Sequence, residues 1–99
     1  MGVGVRPGFV AIYRWKISPE HVDAFRKRWL AATKQLYQVG GQGSLLGKAD
    51  DGTYVAVALW PDRKARDLAF SEIGARDEWP PAERLEPILI DPIENLWQH

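Results

Sequence analysis

The chain has 99 residues, with 13 basic and 13 acidic side chains, a formal net charge of zero and no cysteine. The charge balance argues against nucleic acid or an anionic membrane surface as partner, since both call for a basic excess, and the missing thiols exclude disulfides, thiolate metal sites and a cysteine nucleophile. No apolar run approaches the ~18 residues of a membrane span, and residues 1–10 lack a signal-peptide core, so the expectation is one cytoplasmic domain with no membrane partner and a modest core.

In chain order, residues 1–8 carry Gly2, Gly4, Pro7 and Gly8 and read as a flexible leader before a single domain over 9–99. Phe9–Ile17 is β-branched and aromatic, a strand by type. Its first half is apolar on both faces, whereas Arg14 and Lys16 make one face basic in its second half. Ser18-Pro19-Glu20 then reads as a helix start, with an N-cap hydroxyl, proline at the first helical position and an acid in the first turn. Val22, Phe25, Trp29, Ala32 and Leu36 recur at helical spacing, so the helix is expected to run to about Tyr37 and to stop before Gly40-Gly41.

The organising stretch is Gly43–Asp62. The apolar runs Ser44–Leu46 and Tyr54–Trp60 flank Asp50-Asp51-Gly52, the turn chemistry of a β-hairpin. Tyr54–Trp60 is apolar on both faces, as befits a central strand, and Pro61 stops it. Asp62 can cap a second helix with Ala65, Leu68, Ala69 and Ile73 on one side, ending at Gly74. Ala75–Arg84 reads as a loop, and Leu85–Trp97 as a closing strand. Pro87 and Pro92 confine that strand to a sheet edge, where a bulge can accommodate them.

The order β-α-β-β-α-β with right-handed crossovers predicts an α+β, ferredoxin-like fold with an antiparallel sheet in the order 4-1-3-2. Both helices would then cover one face. The other face is also apolar and has no element of this chain left to cover it, so a homodimer packing sheet against sheet is expected. Five tryptophans, three tyrosines and three phenylalanines in so short a chain add to that expectation, because such aromatic surface serves core, interface or pocket.

The stretches FVAIYRWKISPEHVDAFRKRW and GSLLGKADDGTYVAVALWPDRKA, within Phe9–Phe70, resemble the antibiotic-biosynthesis monooxygenase domain family. The resemblance rests on the aromatic first strand, the Pro-Glu helix start and the D-D-G-T-Y hairpin running into Trp60-Pro61. It implies two subunits forming a dimeric α/β barrel, each with a pocket between helices and sheet. Members include cofactor-independent oxygenases of polycyclic phenols and quinols, and haem-degrading enzymes. The haem-degrading branch carries an Asn on the first strand and a His on the second helix, neither of which stands at the corresponding elements here.

The expected activity is therefore a cofactor-independent monooxygenase that oxidises an aromatic phenol or quinol with O₂. The alternative is a non-catalytic dimeric barrel that binds a small apolar ligand or acts as an accessory module. Oxygenase chemistry of this kind asks for aromatic walls and a few polar donors, not a sharp motif. The catalytic candidates are Tyr13, Arg14 and Trp60. The substrate-binding candidates are Trp15, Trp29, Phe25 and His21. The competing reading is core or interface for the aromatics, an ion pair for Arg14 and a solvated first-turn residue for His21. The pattern leaves open whether Tyr13 and Trp15, or Arg14, point into the pocket. His21 and His99 are distant and make no ligand cluster, so no metal is expected. GVGVRPG precedes a strand and does not open a helix, so it is no phosphate loop. Arg26-Lys27-Arg28 and Arg63-Lys64-Arg66 read as solvated helix faces.

Overall fold

A computed structural model describes residues 7–73 and 79–96, with the side chains of 72 and 73 outside the description. Its elements are β1 (Phe9–Lys16), a 3-10 turn at Pro19–His21, α1 (Val22–Tyr37), β2 (Gly43–Lys48), β3 (Tyr54–Trp60), α2 (Arg63–Ile73), β4 (Glu83–Arg84) and β5 (Ile88–Ile90). The sheet is antiparallel in the order β2-β3-β1-β4, with β5 also on β1. Taken as one interrupted edge strand, β4 and β5 reproduce the 4-1-3-2 order, and the two helices cover one face.

The closing strand departs from expectation in extent. It starts at Glu83, before the predicted Leu85, and ends at Ile90, so residues 91–96 lie outside it. Trp15 pairs with Arg84, but Ile12 pairs with Ile88, so the edge carries one more residue than β1 between the two ladders. That bulge falls on Pro87, which has no N–H to give.

Alternation along the strands fixes the two faces. Phe9, Ala11 and Tyr13 of β1 and Ala56, Ala58 and Trp60 of β3 are buried toward the helices. Val10, Ile12 and Arg14 face away with Val55, Val57 and Leu59, all half-buried, and this apolar outer face continues through exposed Leu45, Ile88 and Ile90.

Local sequence accounts for the rest. Ser18 has extended backbone angles, but its side chain makes no capping bond, and Pro19 opens a 3-10 turn, so the α-helix itself begins at Val22. On α1, Phe25 is 1% exposed, which contributes about 2–3 kcal/mol of apolar burial. The helix ends where Gly41 N–H reaches Leu36 O, beside Gly40 at φ 113°. Asp62 caps α2, its Oδ1 accepting from Ala65 N–H at 2.7 Å. Leu68, expected on the buried side, is 55% exposed; Ala69 is buried beside half-buried Ala65 and Arg66. The predicted stop at Gly74 lies outside the described residues.

The leader stretch has two ties. Pro7 is buried and its carbonyl accepts from Asn95 Nδ2, while Gly8 N–H donates to Trp60 O at 2.9 Å. A Cβ on Gly8 would run into the Pro61 carbonyl, so this glycine serves a close backbone approach.

The β2–β3 turn is set by Gly52 at φ 92° and by Asp51, whose Oδ1 accepts from Thr53 N–H at 2.9 Å and Thr53 Oγ1 at 2.7 Å. The Thr53 hydroxyl and then its N–H hold the Asp51 carboxyl below its ordinary pKa. A depressed folded-state pKa gives stability that is present above the unfolded value and lost as pH falls through the folded one. Asp51→Asn is therefore expected to lower stability slightly at neutral pH and to match the unaltered protein well below about pH 4, so that the acid limb of the stability–pH curve flattens, measured by urea unfolding across pH.

Candidate active site

Small side chains on the helix-facing side of the sheet make the site. Ala56 and Ala58 alternate on β3, and Ser44 pairs with Ala58 on the neighbouring strand. The helices meet no bulk there, and a cavity of roughly 460 Å³ remains between sheet, α1, α2 and the segment around Trp79. This is the range of pockets that hold small aromatic molecules.

Its walls are a run of rings. Trp79 lies 5.3 Å from Phe25, Phe25 packs edge-on against Trp15 at 4.9 Å, Trp15 lies 6.3 Å from Tyr13, and Tyr13 stacks with Phe70 at 6.1 Å. Trp29 and Leu36 of α1 also line it. Offset and edge-to-face contacts of this kind are favourable and leave flat ring faces for a planar ligand.

Polar groups converge at Tyr13. Arg66 donates to its phenolic oxygen twice, from Nε at 3.1 Å and Nη2 at 3.0 Å, while Nη1 pairs with Asp67 at 3.1 Å. The Arg66 guanidinium also lies 4.3 Å from the Phe70 ring centre, and its side chain is only 16% exposed. Burial alone would pull its pKa down, but the bonds to Tyr13 and Asp67 outweigh this and hold the group above its ordinary value. Arg84 stands 5.6 Å from the Tyr13 ring centre on the edge strand, and Arg28 lies over Trp79 at 4.7 Å. Among the described residues that line the cavity there is no carboxylate.

The structure brings together Tyr13, Trp15, Phe25 and Trp29 of the sequence candidates. Trp60 does not line the cavity. It is 1% exposed in the core, edge-on to Phe70 at 6.3 Å. Arg14 is on the outer face, where its Nη2 donates to Glu86 O at 3.2 Å. His21 sits outside the cavity, 4.0 Å from Glu20, on a shallow surface with Lys16 and Glu83. His99 lies outside the described residues, among which no group of side chains could hold a metal ion. None of the helices among them is long and apolar enough to cross a membrane.

Sequence reasoning missed Arg66, Phe70, Arg84 and Trp79. Arg66 and Arg28 are half-buried against aromatic rings, which corrects their reading as solvated helix faces. A signal existed for Arg66: it lies three and four residues before Ala69 and Phe70, and so shares their side of α2.

No protein-family model matches the chain, and no curated protein matches it. Among solved structures, the crystal structure of SnoaB, a cofactor-independent oxygenase from Streptomyces nogalater, matches with a TM-score of 0.68 at 15% identity, over 91% of this chain and 97% of that one. A point mutant of SnoaB matches with a TM-score of 0.67 at 17% identity over the same shares. At these identities the likeness shows a common fold, the α+β arrangement described above.

Proposed function

We propose that the chain is a cofactor-independent monooxygenase that oxidises a planar phenol- or quinol-type molecule with O₂, working as a homodimer joined through the outer sheet faces. The observation that carries the reading is the aromatic-walled cavity with the Tyr13 hydroxyl held by Arg66 at its edge. The fold it shares with a cofactor-independent oxygenase supports it.

The chemistry needs little beyond this. An anthrone-type CH₂ loses a proton to water, and its carbanion, spread over the phenolic rings, adds O₂ to give a peroxide. Loss of the second C–H proton with cleavage of O–O leaves a carbonyl, and the departing hydroxide recovers the proton as water. One oxygen atom stays in the product and one leaves as water, with all four electrons drawn from the substrate carbon. The Tyr13 O–H is the donor for the oxygen that carries the anion, and the apolar walls keep water from that face.

The test is oxygen uptake by chelator-treated protein against a panel of anthrones, naphthols and quinols. Uptake above the protein-free rate is expected. In Tyr13→Phe, kcat/KM should fall about a hundredfold, the usual cost of one oxyanion donor, with the urea midpoint checked alongside. Full activity in that variant would remove Tyr13 from the site.

A further inference from the structure

On the reading of the cavity as a binding site for a planar aromatic, on which the inference rests, the same residues carry information about the charge of the ligand. A phenolic oxygen has one proton to give and two lone pairs to accept with. At Tyr13 the accepting side of the oxygen is taken by one guanidinium, which forks onto it from Arg66 Nε at 3.1 Å and Nη2 at 3.0 Å. That leaves the O–H proton as the hydroxyl's remaining capacity, and among the described residues nothing accepts it. A group placed against Tyr13 in the cavity must therefore be an acceptor.

A second cation stands by. Arg84 pairs with Trp15 across the edge ladder, which puts its side chain on the helix-facing side, where it lines the cavity. Its guanidinium lies 5.6 Å from the Tyr13 ring centre, and among the described residues it has no carboxylate within ion-pair distance. Asp67 offsets part of the Arg66 charge from the exposed side of α2, with its side chain 56% exposed, but no described residue offsets Arg84. A donor and a cation on one edge, with no acid among the described lining residues, favour an anionic oxygen.

We infer that the cavity takes an aromatic anion whose carboxylate or other acidic oxygen sits between the Tyr13 hydroxyl and the Arg84 guanidinium, with its rings against Trp15 and Phe25. Arg84 is then a specificity-determining residue: it sets which aromatics enter, and the rings set how they lie.

The experiment is binding, not turnover, so it is independent of whether the protein is an oxygenase. Quenching of tryptophan fluorescence is followed while the protein is titrated at neutral pH with naphthoate and with the neutral naphthamide of the same ring. Naphthoate should bind about tenfold more tightly. That preference should shrink to within about twofold in Arg84→Gln, survive in part in Arg84→Lys, and weaken with added salt. Arg84 is exposed on an edge strand, so these variants should keep the fold. Equal affinity for the two probes in the unaltered protein, a preference unchanged in Arg84→Gln, or no binding of either probe would each overturn the inference. Anion preference without oxygen uptake would leave it standing while removing the oxygenase reading.

Discussion

Trp60→Ala is expected to lower the unfolding free energy by about 3–5 kcal/mol, the cost of emptying a large buried aromatic site. The indole is 1% exposed, meets Phe70 edge-on and sits opposite fully buried Phe9 across β1 and β3. Its backbone carbonyl also holds Gly8. Domains of this size have only about 5–15 kcal/mol in hand, so much of the protein's stability goes with this one ring. The buried Nε1 has no acceptor among the described residues, so Trp60→Phe gives up no hydrogen bond and should cost far less. Urea unfolding of both variants is the check. A Trp60→Ala protein with an unchanged midpoint but no turnover would mean that Trp60 acts on substrate and is not mainly a core residue.

The second large effect comes from filling the cavity. Ala58 forms its floor between Ala11 and Ser44, is 7% exposed, and lies on a central strand that tolerates aromatic residues. Ala58→Phe projects a ring into the space the ligand would take. Ligand affinity and kcat/KM should fall at least about a hundredfold, while stability shifts by no more than about 1–3 kcal/mol, because the new ring enters a void. Tryptophan-fluorescence titration and urea unfolding read the two quantities separately. Undiminished binding would place the ligand elsewhere.

Much of the fold was legible because its signals are local. The two-sided apolar pattern of Tyr54–Trp60, the D-D-G turn and Pro19 set strands and helix start without knowledge of tertiary contacts. The edge strand was legible in place but not in extent, since where Pro87 breaks the ladder depends on register against β1. The site was half legible. Tyr13 and Trp15 were singled out by type, but whether they or Arg14 faced the helices depended on which face the helices cover. The floor was invisible because alanine gives no chemical signal; Ala56 and Ala58 matter for the volume they leave. Arg66 was hidden by its neighbours Arg63 and Lys64, which are exposed. The charge run looked uniform, and only helix phase turns one member inward.

The central claim is that the chain's own cavity couples a planar aromatic to O₂. Its most direct test is turnover of an anthrone under isotopically labelled dioxygen in chelator-treated protein, with product and water analysed by mass. One labelled atom in the new carbonyl and one in water for each substrate consumed, at a rate abolished by Ala58→Phe, is the predicted result. Label absent from the product, or a rate unchanged when the cavity is filled, would contradict it.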